Sequence, residues 1–236
     1  MPLQTVESRR LYRQIADQIA ALIDKGEYRV GQRLPPERDL ARQLGVSRPS
    51  VREALIALEV EGYVEVRVGS GVYVLGPRPG ASAAPMAADS GPFELIQARW
   101  LIEAECAALA AREATRAQVR AMEEALDEME AESMRGVAPL AGDRVFHMRI
   151  AEASGNSALA LVVKTLWDQR TGPLFLRLEH HFDSPELWHT AIREHREIVA
   201  AIARHDAPSA RAAMRRHMNH AAKRFSASWD KRKRTR

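Results

Sequence analysis

The chain has 236 residues, 46% hydrophobic and 28% charged, which fits a globular protein long enough for two domains. Its one cysteine, Cys106, excludes an internal disulfide framework and points to a reducing compartment. The net charge of +4 is uneven: residues 223–236 carry seven Lys/Arg against one Asp, whereas residues 1–75 hold 11 basic and 10 acidic side chains, so bulk charge is no argument for nucleic-acid binding.

The opening MPLQTVESRR lacks the apolar core of a signal peptide. No run approaches the roughly 18 apolar residues of a spanning helix, so a cytoplasmic protein that does not enter a membrane is expected. Leu11, Ile15, Ile19, Leu22 and Ile23 recur at helical spacing and predict an amphipathic helix over 10–25, ended by Gly26. Leu34-Pro35-Pro36 opens a short helix from Glu37 to Leu44, closed by Gly45. Ser47 then caps a third helix with Pro49 in its first turn. Val51, Leu55 and Leu58 form its buried arc, and Arg48 and Arg52 lie one turn apart off that arc. Two helices joined by a tight glycine turn, the second basic at its start, make a helix-turn-helix. Tyr63 to Val68 and Val72 to Val74 alternate as strands around Gly69-Ser70-Gly71, which predicts a two-stranded wing. An isolated R-x-x-x-R reads as two solvated side chains; within this frame it reads as a DNA-contacting pair, each arginine able to present a fork to guanine N7 and O6.

Residues 76–92, GPRPGASAAPMAADSGP, read as a linker. The remainder carries only helical patterns, at about 93–113, 116–134, 140–153, 157–180, 186–204 and 208–228, which predicts an all-helical bundle of six to seven helices over 93–228. The tail 229–236 is basic and fits neither region. Asp143 and His147 share a helix face at i and i+4. His195 and His217 are equidistant from the turn at Asp206-Ala207-Pro208, so an antiparallel helix pair sets them at one level. Three imidazoles and a carboxylate suit Zn²⁺, Ni²⁺ or Mn²⁺. Spacing alone leaves surface and packing roles open for all eight histidines.

Residues 9–75 resemble the winged-helix domain of the GntR superfamily of bacterial transcription regulators. The resemblance rests on Leu34-Pro35-Pro36-Glu37-Arg38-Asp39-Leu40-Ala41, Val46-Ser47-Arg48-Pro49-Ser50-Val51-Arg52-Glu53-Ala54-Leu55 and Glu61-Gly62-Tyr63-Val64. It implies that Arg38, Arg48 and Arg52 contact DNA, that Ser47 holds a phosphate with Ser50 in the same motif, and that Gly69 of the wing follows the minor groove. Residues 93–225 resemble the FadR-type C-terminal ligand-binding domain of the FCD branch, through Asp143-Arg144-Val145-Phe146-His147, Ser154-Gly155-Asn156-Ser157 and Glu194-His195-Arg196-Glu197, with Arg216-His217-Met218. This resemblance implies that Asp143, His147, His195 and His217 bind a divalent metal, zinc before nickel or manganese, and that a small organic acid meets it there. It also implies an effector role for Arg99, whose alternative is an ion pair with Glu103 at i+4. Asn156 is either an effector contact or a helix cap. Arg9-Arg10-Leu11-Tyr12, Gly91-Pro92-Phe93-Glu94-Leu95-Ile96-Gln97-Ala98-Arg99 and Leu166-Trp167-Asp168-Gln169-Arg170 are similar to the hexuronate-operon regulators of that branch, which implies a hexuronate effector.

The expectation is a homodimeric regulator, a repressor by family habit, on a palindromic operator, and not an enzyme. Two alternatives stay open: a metal-dependent sugar-acid enzyme fused to a DNA-binding domain, and a metal-free regulator sensing another organic or fatty acid. Glu194, beside His195, reads as a solvated helix residue.

Overall fold

The computed structural model describes residues 10–76 and 90–226. Their contacts divide them into two units, the first taking residues up to Gly91 together with Ser226, the second Pro92–Phe225. The expected linker falls mostly, and the basic tail wholly, outside the described residues.

In the first unit, α1 (Leu11–Asp24) buries Tyr12, Ile15, Ala16, Ile19 and Ile23 on one face. α2 (Glu37–Leu44) stops at Gly45, whose φ of 67° is a conformation that glycine adopts without a Cβ penalty. The chain then turns into α3 (Arg48–Val60), where the backbone N–H of Ser50 donates to Ser47 Oγ at 3.2 Å. That cap satisfies one of the donors a helix start leaves open. α3 buries Val51, Ala54, Leu55 and Leu58 and packs on α1 and α2. The wing is an antiparallel hairpin of β1 (Val64–Arg67) and β2 (Gly71–Val74), with Val64 opposite Val74 and Arg67 opposite Gly71. Sequence reading missed a third edge: Leu34 N–H donates to Val72 O, Gly31 N–H to Val74 O, and Val74 N–H to the Gln32 carbonyl, at 2.8–2.9 Å. The segment 31–34 therefore lies along β2, although it is too short to show an alternating pattern.

In the second unit, seven helices are present among the described residues: α4 (Pro92–Glu113), α5 (Arg116–Met134), α6 (Leu140–Ala153), α7 (Ser157–Asp168), α8 (Pro173–Phe182), α9 (Pro185–Ala203) and α10 (Ala207–Phe225). The single helix expected over 157–180 is corrected to two. A 3-10 turn at Gln169–Thr171 ends the first, and Pro173 starts the second. Proline has no N–H to continue the ladder and its ring would strike the carbonyl four residues back. α4 also departs from the amphipathic expectation. It touches α6, α7, α8, α9 and α10, and Leu95, Ala104, Cys106, Ala107, Ala108, Ala110 and Ala111 are buried on several of its sides. A helix enclosed in this way needs small residues rather than a polar face, and α10 answers with Ala207, Ala210 and Ala213. Phe146 and Ile150 of α6 and Ile198 and Ile202 of α9 join the same buried core. At Gly142 a Cβ would stand 2.6 Å from Met129 Cγ and 3.1 Å from the Met129 backbone N, so glycine lets the start of α6 close on α5 and sets the level of Asp143.

Cys106 is buried, and its thiol is pushed up to about 12 by burial and then by the Glu103 charge. At pH 8 the thiolate is then on the order of one part in ten thousand. A disulfide reagent such as Ellman's is expected to leave the native protein unmodified at that pH and to titrate one thiol after unfolding in guanidinium. Rapid native labelling would contradict this packing.

Candidate nucleic-acid interface and metal centre

The start of α3 presents its polar side chains unequally. Arg38, on α2, is 80% exposed, with Nε 3.6 Å from Asp39 Oδ1. Arg48 is 48% exposed, with Nη2 3.4 Å from Glu37 Oε2. The Ser47 and Ser50 hydroxyls are 2.8 Å apart at the exposed helix start. Gly69 is in the wing loop with φ 81°. Arg52 departs from the expected exposed fork: it is 2% exposed. Its Nε donates to Glu37 Oε1 at 2.5 Å and its Nη2 to Glu37 Oε2 at 2.6 Å. Glu37 thus grips Arg52 and tethers Arg48. The expectation failed because α2 folds its first-turn acid onto the face of α3 that local periodicity had left to solvent. Arg42 and Arg67 are exposed, Arg42 beside Asp39 and Arg67 stacked 4.5 Å above the Tyr73 ring.

In the second unit, the structure brings together all four residues picked out for a metal. His147 Nε2 and His195 Nε2 are 3.2 Å apart, and His195 Nε2 and His217 Nε2 3.1 Å apart. Asp143 Oδ1 is 3.4 Å from His147 Nε2 and 3.5 Å from His195 Nε2. The i,i+4 pair comes from α6, and the two other histidines face each other across α9 and α10. All three imidazoles are buried. Phe146 packs 4.6 Å from the His195 ring and Trp167 5.0 Å from the His147 ring.

The donor set fits a cation. His217 Nδ1 donates to Glu194 Oε2 at 2.8 Å, and His147 Nδ1 pairs with Glu103 Oε2. A carboxylate on Nδ1 fixes the proton there and leaves the Nε2 lone pair turned inward, as a metal-binding imidazole requires. His147 Nδ1 meets Glu103 as an ion-pair contact rather than a well-formed hydrogen bond, and His195 Nδ1 is buried with neither kind of contact among the described residues. Protons alone serve the cluster poorly, because neighbouring Nε2 atoms can share only one hydrogen between each pair. His147, His195 and His217 could hold a metal ion.

Electrostatics separates the members. Burial, then the neighbouring imidazole charges, hold His195 and His217 well below the usual histidine range, leaving them neutral. Burial also opposes charge on His147, but Glu103 first and then Asp143 outweigh it and raise its pKa. Asp143 is held well below the usual carboxylate range; burial opposes this, but the His147 hydrogen bond and the Arg170 charge prevail. Glu103 is likewise lowered, by Arg99 and His147 against the cost of burial.

Two supporting carboxylates were not identified from sequence. Glu194 is not the solvated residue expected; it takes His217 on one oxygen and His220 Nδ1, at 2.7 Å, on the other. Its position beside His195 was no signal, since adjacent residues leave a helix in different directions. Glu103 accepts from Trp167 Nε1 at 3.1 Å and from Arg99 Nε at 2.6 Å. Arg99 is therefore committed to the ion pair with Glu103, with its guanidinium 4.0 Å above the Trp167 ring, although it also lines the adjoining cavity. Asn156 caps α7: its Oδ1 accepts from the N–H groups of Ala158 and Leu159 at 3.1 and 3.2 Å at the exposed helix start. Asn156→Ala is expected to cost about 1 kcal/mol of stability and to leave ligand-induced melting shifts intact. A lost ligand shift with unchanged stability would return Asn156 to the ligand site.

Beside the histidines lies a cavity of about 100 Å³ whose polar lining includes Asp143, Arg170, Glu179, Asp183 and Arg224. Phe175, Phe182, Trp188 and Phe225 supply its apolar side.

A winged helix-turn-helix followed by an all-helical unit with a buried histidine cluster defines a class, and comparison with known proteins gives it a family. Residues 11–74 match the profile "Bacterial regulatory proteins, gntR family", and residues 94–220 match that of the FCD domain. The chain belongs to the GntR family, in the branch that carries an FCD domain, and is a DNA-binding transcription regulator.

It is 39% identical to the Uxu operon transcriptional regulator of Escherichia coli (strain K12) over 225 residues, 92% of this chain and 88% of that protein. It is 39% identical to the Exu regulon transcriptional regulator of the same strain over 223 residues, 92% of this chain and 84% of that one. The solved structure of E. coli McbR/YncC, 22% identical, is alike in fold, with a TM-score of 0.52 over 92% of this chain and 98% of its own. These relatives are regulators, which sets the enzyme alternative aside. No helix among the described residues is long and apolar enough to cross a membrane.

Proposed function

We propose that this regulator, most simply a repressor, binds a palindromic operator as a homodimer, and that a small organic acid, a hexuronate foremost, sets its operator affinity from the cavity beside a divalent metal. The residues that would hold the metal are Asp143, His147, His195 and His217, with zinc ahead of nickel or manganese on donor type. When bound, the ion would supply positive charge that draws a carboxylate. The observation that carries the reading is the convergence of three Nε2 atoms and Asp143 Oδ1 beside a cavity that Asp143, His195 and His217 line.

The fatty-acid alternative fits this cavity poorly. Asp143, Glu179 and Asp183 would lie against hydrocarbon, and although Arg170 and Trp188 already donate to them, their remaining lone pairs would lose water without gaining a partner. The hydroxyls of a sugar acid supply donors to such oxygens, and the aromatic side suits the C–H face of a sugar ring. The resemblance to hexuronate-operon regulators supports the same ligand class.

Dimerisation is supported by α7. It is the most apolar of the helices, yet Leu161 and Val162 face solvent and only Val163 and Trp167 are buried. A second copy is the simplest cover for such a stripe. Exposed Arg38 and Arg48, Ser47 and Ser50 at the start of α3, and Gly69 in the wing are the residues assigned to DNA; Arg52 orders that surface through Glu37. The reading is tested by thermal shift of metal-loaded protein with D-glucuronate and D-galacturonate, before and after chelation. A uronate-dependent rise in Tm that chelator removes is expected. No shift from either uronate would overturn the effector assignment.

A further inference from the structure

Arg99, Arg170 and Arg224 all line the cavity beside the histidines, and two of them are already spoken for. Arg99 donates to Glu103 and stacks on Trp167. Arg170 Nη1 donates to Asp143 Oδ2 at 2.9 Å and Nη2 to Glu179 Oε1 at 2.5 Å, with its guanidinium held between the Trp167 and Phe175 rings.

Arg224 differs. It sits in the last turn of α10, 18% exposed, and its ion-pair contact among the described residues is a long one, 3.5 Å from Nη1 to Glu194 Oε2. Nη1 is buried and has no hydrogen-bond partner among the described residues. Glu194 cannot easily serve it, because its two oxygens already take His217 and His220. A buried charged donor left unmade is costly, and the cost is relieved when an acceptor enters the cavity. Glu194 Oε2 also ties Arg224 to the histidines, since it contacts both His217 Nδ1 and Arg224 Nη1.

We propose that Arg224, rather than Arg99, is the residue that recognises the effector's carboxylate and so selects an acid over the matching neutral sugar. This rests on the reading that a small organic acid occupies the cavity. The guanidinium gives the carboxylate a planar, permanently charged fork. The acid's hydroxyl groups then donate to the carboxylates of Asp143 and Glu179, which line the same cavity.

The test is calorimetric titration of the full chain, zinc-loaded, with D-glucuronate, D-galacturonate and the neutral D-glucuronamide, for wild type, Arg224→Gln and Arg224→Lys. Arg224→Gln is expected to weaken uronate binding roughly ten- to a hundred-fold, the usual range for a charged hydrogen-bonded contact. Amide binding, zinc content and ligand-free Tm are expected to stay unchanged, and Arg224→Lys, which keeps the charge but loses the fork, to recover part of the uronate affinity. Uronate binding by Arg224→Gln at wild-type strength overturns the proposal and leaves the effector reading standing. So does an equal loss of acid and amide, which would mark a merely structural role. If Arg224→Gln does not fold, the lysine variant decides, and wild-type uronate affinity there refutes a need for the fork. If the wild type binds neither uronate, the effector reading itself fails and this proposal falls with it.

Discussion

Arg52→Ala is expected to destabilise the first unit by about 3–5 kcal/mol, whereas Arg48→Ala is expected to leave stability within about 0.5 kcal/mol and to weaken operator binding. The two arginines are one turn apart on one helix and look interchangeable in sequence. Their surroundings differ. Arg52 is enclosed and forms two hydrogen bonds with Glu37, itself buried. Removing the guanidinium strands a carboxylate with only the longer Arg48 contact to neutralise it. Arg48 is half exposed and loses little on truncation apart from the DNA contact proposed for it, roughly 1–3 kcal/mol if it forks onto a guanine. Hydrogen exchange in α2 and α3, read beside operator affinity, separates the effects. Wild-type protection in Arg52→Ala would show that the Glu37 pair is not structural. Undiminished operator affinity in Arg48→Ala would remove that residue from the reading surface. A binding defect in Arg52→Ala alone identifies no base contact, because a loosened α3 lowers affinity too.

The second large effect is expected from zinc. Stripping the protein with chelator and restoring zinc at about a thousand times its dissociation constant is expected to recover about 4 kcal/mol of stability, read as a rise in Tm. His195→Ala is expected to abolish that rise, because His195 Nε2 lies between the other two rings. Asp143→Ala is expected to weaken it and also to release Arg170, whose guanidinium joins Asp143 to Glu179 on α8. Zinc binding is further expected to weaken as pH falls, since protons compete for the imidazole nitrogens. A zinc response of wild-type size in His195→Ala would remove the metal from this cluster.

Much of this organisation is legible in the chain because it is local. Prolines and glycines mark the ends of α2, a serine caps α3, and the periods of α5 and α6 give Arg116–Met134 and Leu140–Ala153 as expected. The facing of His195 and His217 follows from equal distances to one turn. The broken helix at Gln169–Thr171 was missed because the apolar period runs on through Leu174 and Phe175, although Gly172-Pro173 marked the fault. The edge at 31–34 was missed because it offers backbone, not pattern, to β2.

The sequence by itself determined the two-part plan, the helix-turn-helix with its wing, and the identity of four side chains able to meet at one point. Only the tertiary structure decided which charged side chains are free to act. Arg52 is neutralised from 15 residues away and Arg99 from four, while Glu103 reaches Trp167 across 64 residues. Among the described residues Arg224 keeps an unsatisfied donor, since Glu194 is already taken by two histidines. Spacing along a chain fixes which face a side chain leaves by. Whether its charge is already answered depends on partners that folding delivers from elsewhere, and that is a property of the assembled core.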